Sequence, residues 1–172
     1  MMSAPQLCIT ARAARHLVPF LRRKLLEAMQ LCGATPRHLS VALVGDRVMS
    51  RLHQRHLGID GPTDVLAFPL EQRPHGRVVE GEIVICVGEA RRQSRRHGTP
   101  LNHEVLLYAI HGLLHLRGMD DTTPAGFERM HRMEDALLTR LGIGPVFRPN
   151  GRRRPSPRRR PARLSSRCGV RP

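Results

Sequence analysis

The segment HGLLHLRGMDD, running from His111 to Asp121, governs the reading of this chain. It closes the most apolar long stretch of the sequence, Val105 to Leu116. That stretch is too short to span a bilayer, so no membrane segment is expected. A helix of this character is buried, and other elements must pack around it. Asn102 is placed to cap it and Gly118 to end it. Downstream, Thr122-Thr123-Pro124 opens a last helix reaching to about Leu141, with Pro124 near its first position.

Upstream, the pattern alternates between apolar runs and amphipathic stretches. A short strand is expected near Leu7–Thr10, then a helix from about His16 to Leu31 with Leu17, Leu21, Leu25 and Met29 on one face. Leu39–Val44 reads as a buried strand, followed by Asp46 as an N-cap and a helix from Val48 to His56. Asp64–Pro69 reads as a strand closed by its proline. Glu71–Glu80 is a polar connection, Glu82–Val87 another buried strand, and Gly88–His97 an arginine-rich helix. Strands come mostly first and helices last, which predicts an α+β fold: one domain with helices packed on a small mixed β-sheet and a metal cleft. The domain is expected over residues 1–147, with a disordered basic tail over 148–172.

Charge divides the chain in the same place. Ten arginines and no acid lie between Arg148 and Pro172, so residues 1–147 carry +5 of the net +15. Such a tail attracts polyanions by counterion release, or serves only as a solubilising end. Aromatic residues make up 3%, with Tyr108 the one tyrosine and no tryptophan, so the core rests on Leu, Val, Ile and Met. Cys8, Cys32, Cys86 and Cys168 are scattered without a C-x-x-C pair. They form neither a disulfide framework nor a thiolate metal site, and a reduced, cytoplasmic compartment fits them.

The chemistry resides in His111, His115 and Asp121. Histidines four apart on a helix share a face. Gly118 permits a sharp bend, and Asp121 follows three residues later. Two imidazoles and a carboxylate make a half-shell for one zinc ion, with an open corner for water. By itself, H-x-x-x-H on an apolar helix is more often two hydrogen-bonded core histidines than a metal site. Left unsatisfied, buried groups of this kind would cost a few kcal/mol each. The glycine and the acid at turn-back spacing bring the metal reading level with the core-histidine one. The same spacing invites comparison with metzincin peptidases, H-E-x-x-H-x-x-G-x-x-H/D. Here the position of their general base is Gly112, which has no proton-transfer group.

Two further segments narrow the reading. Pro62-Thr-Asp-Val-Leu-Ala-Phe-Pro69 resembles the P-T-D-V-L-S-F-P block of the YbeY endoribonuclease (rRNA maturation factor) family. Gly81-Glu-Ile-Val-Ile-Cys86 resembles that family's G-D-I-V/I-I strand, and His111 to Asp121 its H-G-x-L-H-L-x-G-Y-D-H signature. The resemblance covers about residues 5–142. It implies a zinc-dependent endoribonuclease specific for single-stranded RNA, acting on the 16S rRNA precursor at its 3′ end and in ribosome quality control. Carried over by position, the ligands are His111, His115 and Asp121. Asp121 stands where the family usually has histidine, Met119 replaces a tyrosine, and Glu82 replaces an aspartate. Leu57 replaces an arginine thought to contact phosphate, for which Arg55 is a candidate substitute. Asp120, Glu82 and Arg55 are therefore the candidate catalytic residues, with Asp120 equally able to orient a ligand histidine. His103 is a weaker candidate, read more readily as a surface residue. The attacking group is a hydroxide or the RNA 2′-OH. Arg91, Arg92, Arg95 and Arg96 offer a basic helix face for RNA phosphates, or a merely solvated one. A metzincin-like peptidase and a ribosome-assembly RNA-binding protein of weak catalysis are the alternatives.

Overall fold

A computed structural model describes residues 5–33, 36–74 and 78–146. The basic tail of residues 148–172 lies outside the described residues. The elements are β1 (Gln6–Ala11), a 3₁₀ turn at Arg15–Leu17, α1 (Val18–Cys32), β2 (His38–Val44) and α2 (Asp46–Leu57). They continue with β3 (Val65–Gln72), β4 (Val78–Cys86), α3 (Val87–His97), α4 (Leu101–Leu116) and α5 (Pro124–Arg140). Helices on a small mixed sheet are thus found as expected.

The four strands form one sheet in the order β1-β2-β4-β3. β1 and β4 pair parallel to β2, and β3 pairs antiparallel to β4. Strand alternation sorts the apolar residues onto two faces. Leu39, Val41, Leu43, Ile83 and Ile85 face the main core, built with α1, α3, α4 and α5. Val44, Val84, Cys86 and Leu66 face the other way, where Met49 of α2 covers them.

Four local expectations are corrected. Asp46 does not cap α2: Gly45 holds the N-cap position. The Asp46 carboxylate instead receives both Arg92 terminal nitrogens at 2.9 Å and the Cys86 thiol at 3.1 Å. Those hydrogen bonds, led by Arg92, hold its carboxyl at about 2. Asn102 does not cap α4 either, because the helix opens two residues earlier than that, at Leu101 with Pro100 as its N-cap. Pro69 does not end β3, which runs on to Gln72 through a register shift after Pro69. Proline is tolerated because β3 is an edge strand, where an absent N–H costs no ladder bond. The connection before β4 is correspondingly shorter, since pairing resumes at Val78 rather than after Glu80.

α4 lies against β3 and β4 and is buried nearly all round. Two glycines set its approach to the sheet. A Cβ on Gly112 would stand 2.8 Å from Ile83 Cγ2, and a Cβ on Gly81 2.7 Å from Leu116 Cδ1. The helix therefore runs antiparallel to β4, with its C-terminal turn over Gly81. Among the described residues, no helix is long and apolar enough to cross a membrane.

Gly112→Ala is expected to push α4 off Ile83 and cost about 1–3 kcal/mol, the usual range for overpacking. Urea denaturation should show a lower midpoint at unchanged slope. An unaltered midpoint would mean that the contact is not tight.

Candidate metal centre

His111 and His115 stand one turn apart on α4, their rings edge to face at a centroid distance of 4.5 Å. Past Leu116 the chain folds back. Gly118 adopts φ +86°, its N–H donates to His115 O at 2.9 Å, and Met119 N donates to Leu114 O at 3.0 Å. The bend needs a left-handed residue, which glycine supplies without strain. Asp120 then tightens the return: its carboxylate accepts Thr122 N and Thr122 Oγ1, each at 2.9 Å. Thr123 caps α5 by accepting Gly126 N at 3.1 Å. Gly126 lies under the Asp120 carbonyl, where a Cβ would come within 2.2 Å of the oxygen. This packing fixes the loop against α5 and turns Asp121 towards the histidines. Asp121 Oδ2 lies 3.6 Å from His111 Nε2, and Oδ1 lies 3.6 Å from His115 Nε2.

The hydrogen bonds behind the rings decide what they offer. His111 Nδ1 donates to Glu134 Oε1 at 2.5 Å, and His115 Nδ1 donates to the Met119 carbonyl at 3.0 Å. Neither a carboxylate nor a carbonyl can donate, so each neutral ring carries its proton on Nδ1. Each Nε2 then presents a lone pair, and the two nitrogens are 2.9 Å apart. With the Asp121 carboxylate beside them, acceptors converge on one point, and a cation satisfies that arrangement. Tetrahedral zinc at its usual bond lengths would separate its ligand atoms by about 3.3 Å. The observed separations of 2.9, 3.6 and 3.6 Å bracket that value. The donor set fits a zinc-type ion with an open position.

Glu134 is the residue that sequence reasoning missed. It is buried to 1% exposure on α5, and it also receives His131 Nδ1 at 2.6 Å. Burial alone would raise its pKa, but hydrogen bonds from His111 and His131 outweigh it and hold the carboxyl at about 2. The signal was an acid on the same helix face as Met130, Leu137 and Leu138, all buried.

The other expected site residues are not brought to the three ligands. Asp120 is adjacent in sequence, but both of its oxygens serve the Thr122 turn, which also lowers its pKa. Glu82 pairs with Phe68 and Ser40 on the sheet face that α2 covers, while Ile83 and Ile85 face α4. Arg55 is exposed on α2, on that same far face. Leu57 packs into the small apolar cluster beneath α2. His103 sits in the first turn of α4, stacked on Phe20 at a centroid distance of 6.0 Å. It is about 12 Å along the helix axis from His111. Arg92 is held by Asp46 and Glu89, while Arg91, Arg95 and Arg96 are exposed.

Fold and site together define an α+β protein with a histidine–histidine–carboxylate cluster beside its central helix that could hold a metal ion. A family model described as Endoribonuclease YbeY matches residues 7–142. The chain is 36% identical over 138 residues to an Endoribonuclease YbeY of Moorella thermoacetica, spanning 74% of this chain and 88% of that one. It is 38% identical over 130 residues to an Endoribonuclease YbeY of Thermus thermophilus, spanning 74% and 93%. The solution structure of TM1509 from Thermotoga maritima superposes with a TM-score of 0.56 at 28% identity, covering 86% of this chain and all of the other. The chain belongs to the YbeY endoribonuclease family.

Glu134→Gln is expected to weaken zinc binding by about 10- to 100-fold, the usual cost of losing a carboxylate behind a ligand histidine. A competition titration with a chromogenic chelator measures it. Glu134 also predicts an acid limb of stability. Its folded pKa of about 2 lies below the ordinary 4.5, so its contribution is full above about pH 4.5 and is lost as pH falls towards 2. Metal-free wild type should lose more stability than Glu134→Gln across that window. Equal losses would contradict the assignment.

Proposed function

We propose that this chain is a zinc-dependent endoribonuclease that cuts single-stranded RNA, acting in the cytoplasm on the 16S rRNA precursor at its 3′ end and in ribosome quality control. The observation that carries the proposal is the convergence of His111, His115 and Asp121, with both Nδ1 protons committed to acceptors behind the rings. Family membership supplies the substrate class, and the precursor rRNA and the ribosome are the proposed partners.

A zinc ion held there would supply Lewis-acid chemistry, polarising a phosphoryl oxygen and acidifying water. The chain's own residues set the conditions. Glu134 and the Met119 carbonyl hold the two imidazoles as neutral Nε2 donors. Asp121 brings a negative charge where the family usually has a neutral ring, which tempers the positive field at the open corner. Asp120 is proposed to keep Asp121 in place through the Thr122 turn rather than to transfer a proton. Glu82 and Arg55, across the sheet, are assigned no contact with the scissile phosphate.

A peptidase of the metzincin type would need an acid at residue 112. That position faces Ile83 without space for a Cβ, so the helix could not carry one and keep its packing. The test uses purified chain, labelled single-stranded RNA and casein, with and without chelator. The expected result is RNA cleavage that chelation abolishes and zinc restores, with casein intact. His115→Ala and Asp121→Ala should each reduce cleavage to the chelated background and lose the bound ion by elemental analysis. Casein cleavage, or RNA binding without metal-dependent turnover, would overturn the proposal.

A further inference from the structure

α2 carries Arg47, Arg51 and Arg55, four residues apart, and α3 carries Arg91, Arg92, Arg95 and Arg96. The inward side of α2 holds Val48, Met49, Leu52 and Leu57, so its three arginines form a stripe along the solvent side. The two helices hold only two acids, Asp46 and Glu89, and Arg92 engages both. The other six arginines are exposed and form no ion pair among the described residues. The Arg92–Asp46 bridge ties α3 to the start of α2, so the two sets of guanidinium groups adjoin. Helix stabilisation does not account for the whole pattern. Cations favour the last turn of a helix, yet Arg47 stands in the first turn of α2, at the positive end of its dipole.

This surface is separate from the metal cleft. α2 covers the sheet face opposite α4, and α3 packs beside α4 with Val87 and Ala90 in the main core and its arginines exposed; the N-terminal end of α4, which follows α3, is some ten residues or about 15 Å along the axis from His111. The C-terminal end of α2 reaches the edge strand β3, where His56 packs on Phe68 at a centroid distance of 4.8 Å. α4 with its histidines packs on the other face of that same strand.

We propose that α2 and α3 form a second RNA contact, a track for phosphates of the strand beyond the bond that is cut, reached around the β3 edge. This rests on the endoribonuclease reading and extends it. Successive arginines on α2 rise about 6 Å along the helix, comparable with the separation of successive phosphates on one strand. Neither helix carries Phe, Tyr or Trp, so the track holds backbone and does not stack bases or read sequence.

The test compares Arg47→Gln/Arg51→Gln, Arg91→Gln/Arg95→Gln and a charge-matched control, Arg12→Gln/Arg23→Gln, all in the full chain. Two RNAs are used: a single-stranded oligonucleotide just long enough to fill the cleft, and a longer RNA in which that strand is extended on one side. The track predicts that KM for the longer RNA rises about tenfold in each α2 or α3 variant while kcat on the short one is unchanged. The slope of log affinity for the longer RNA against log salt should fall by about 1.4, from about 0.7 for each lost phosphate contact. The control should leave both values near wild type. Equal effects in the control, or unchanged slopes in the α2 and α3 variants, would overturn the track. If wild type cleaves neither RNA, the endoribonuclease reading fails, and the binding slopes alone then decide the track by the same criterion.

Discussion

The buried carboxylate of Glu134 decides which nitrogen of His111 holds its proton, and much of the site follows from that. Glu134 accepts from Nδ1, so Nε2 faces the cleft with a lone pair. The Met119 carbonyl does the same for His115. Without these two acceptors either ring could turn its N–H into the cleft, and the pair could settle as an ordinary hydrogen-bonded couple. With them, two lone pairs and a carboxylate meet at short range, an arrangement that a cation relieves. The same bonds fix ring orientation, which keeps the open corner in one place.

Each support comes from a different part of the chain. α4 provides the rings and α5 the acid behind one of them. The bend at Gly118 provides both the carbonyl behind the other ring and the returning Asp121. Close packing holds these parts in register. Gly112 lets α4 sit on Ile83, and Gly126 lets the Asp120 backbone rest on the first turn of α5. Side chains at either glycine would move a ligand-bearing element, so the geometry of the cleft is coupled to the packing of the core. The exposed arginines of α2 and α3 belong to a separate surface, which α2 brings round to the β3 edge.

Much of this was legible in the sequence because local signals agreed. The apolar stretch with paired histidines, the glycine bend and the Thr-Pro helix start all lie within one short segment, and each has a local physical meaning. What was not legible depended on distant partners. Asp46 has the chemistry of a cap, but Arg92, 46 residues away, captures it. Pro69 reads as a strand end until β3 is known to be the sheet edge. Glu82 looked available because the run Glu82–Val87 is apolar on both faces, so periodicity could not say which face meets α4. Glu134 was visible only as an acid on an apolar helix face. Its partner, His111, is 23 residues away and on another helix.

The shared ion is tested most directly by a crystal structure of the zinc-loaded chain with anomalous data at the zinc edge. The account predicts one strong peak within about 2.0–2.2 Å of His111 Nε2, His115 Nε2 and an Asp121 carboxylate oxygen, with Glu134 still bonded to His111 Nδ1. A zinc peak bound elsewhere, or an Asp121 carboxylate turned away from both rings, would contradict it.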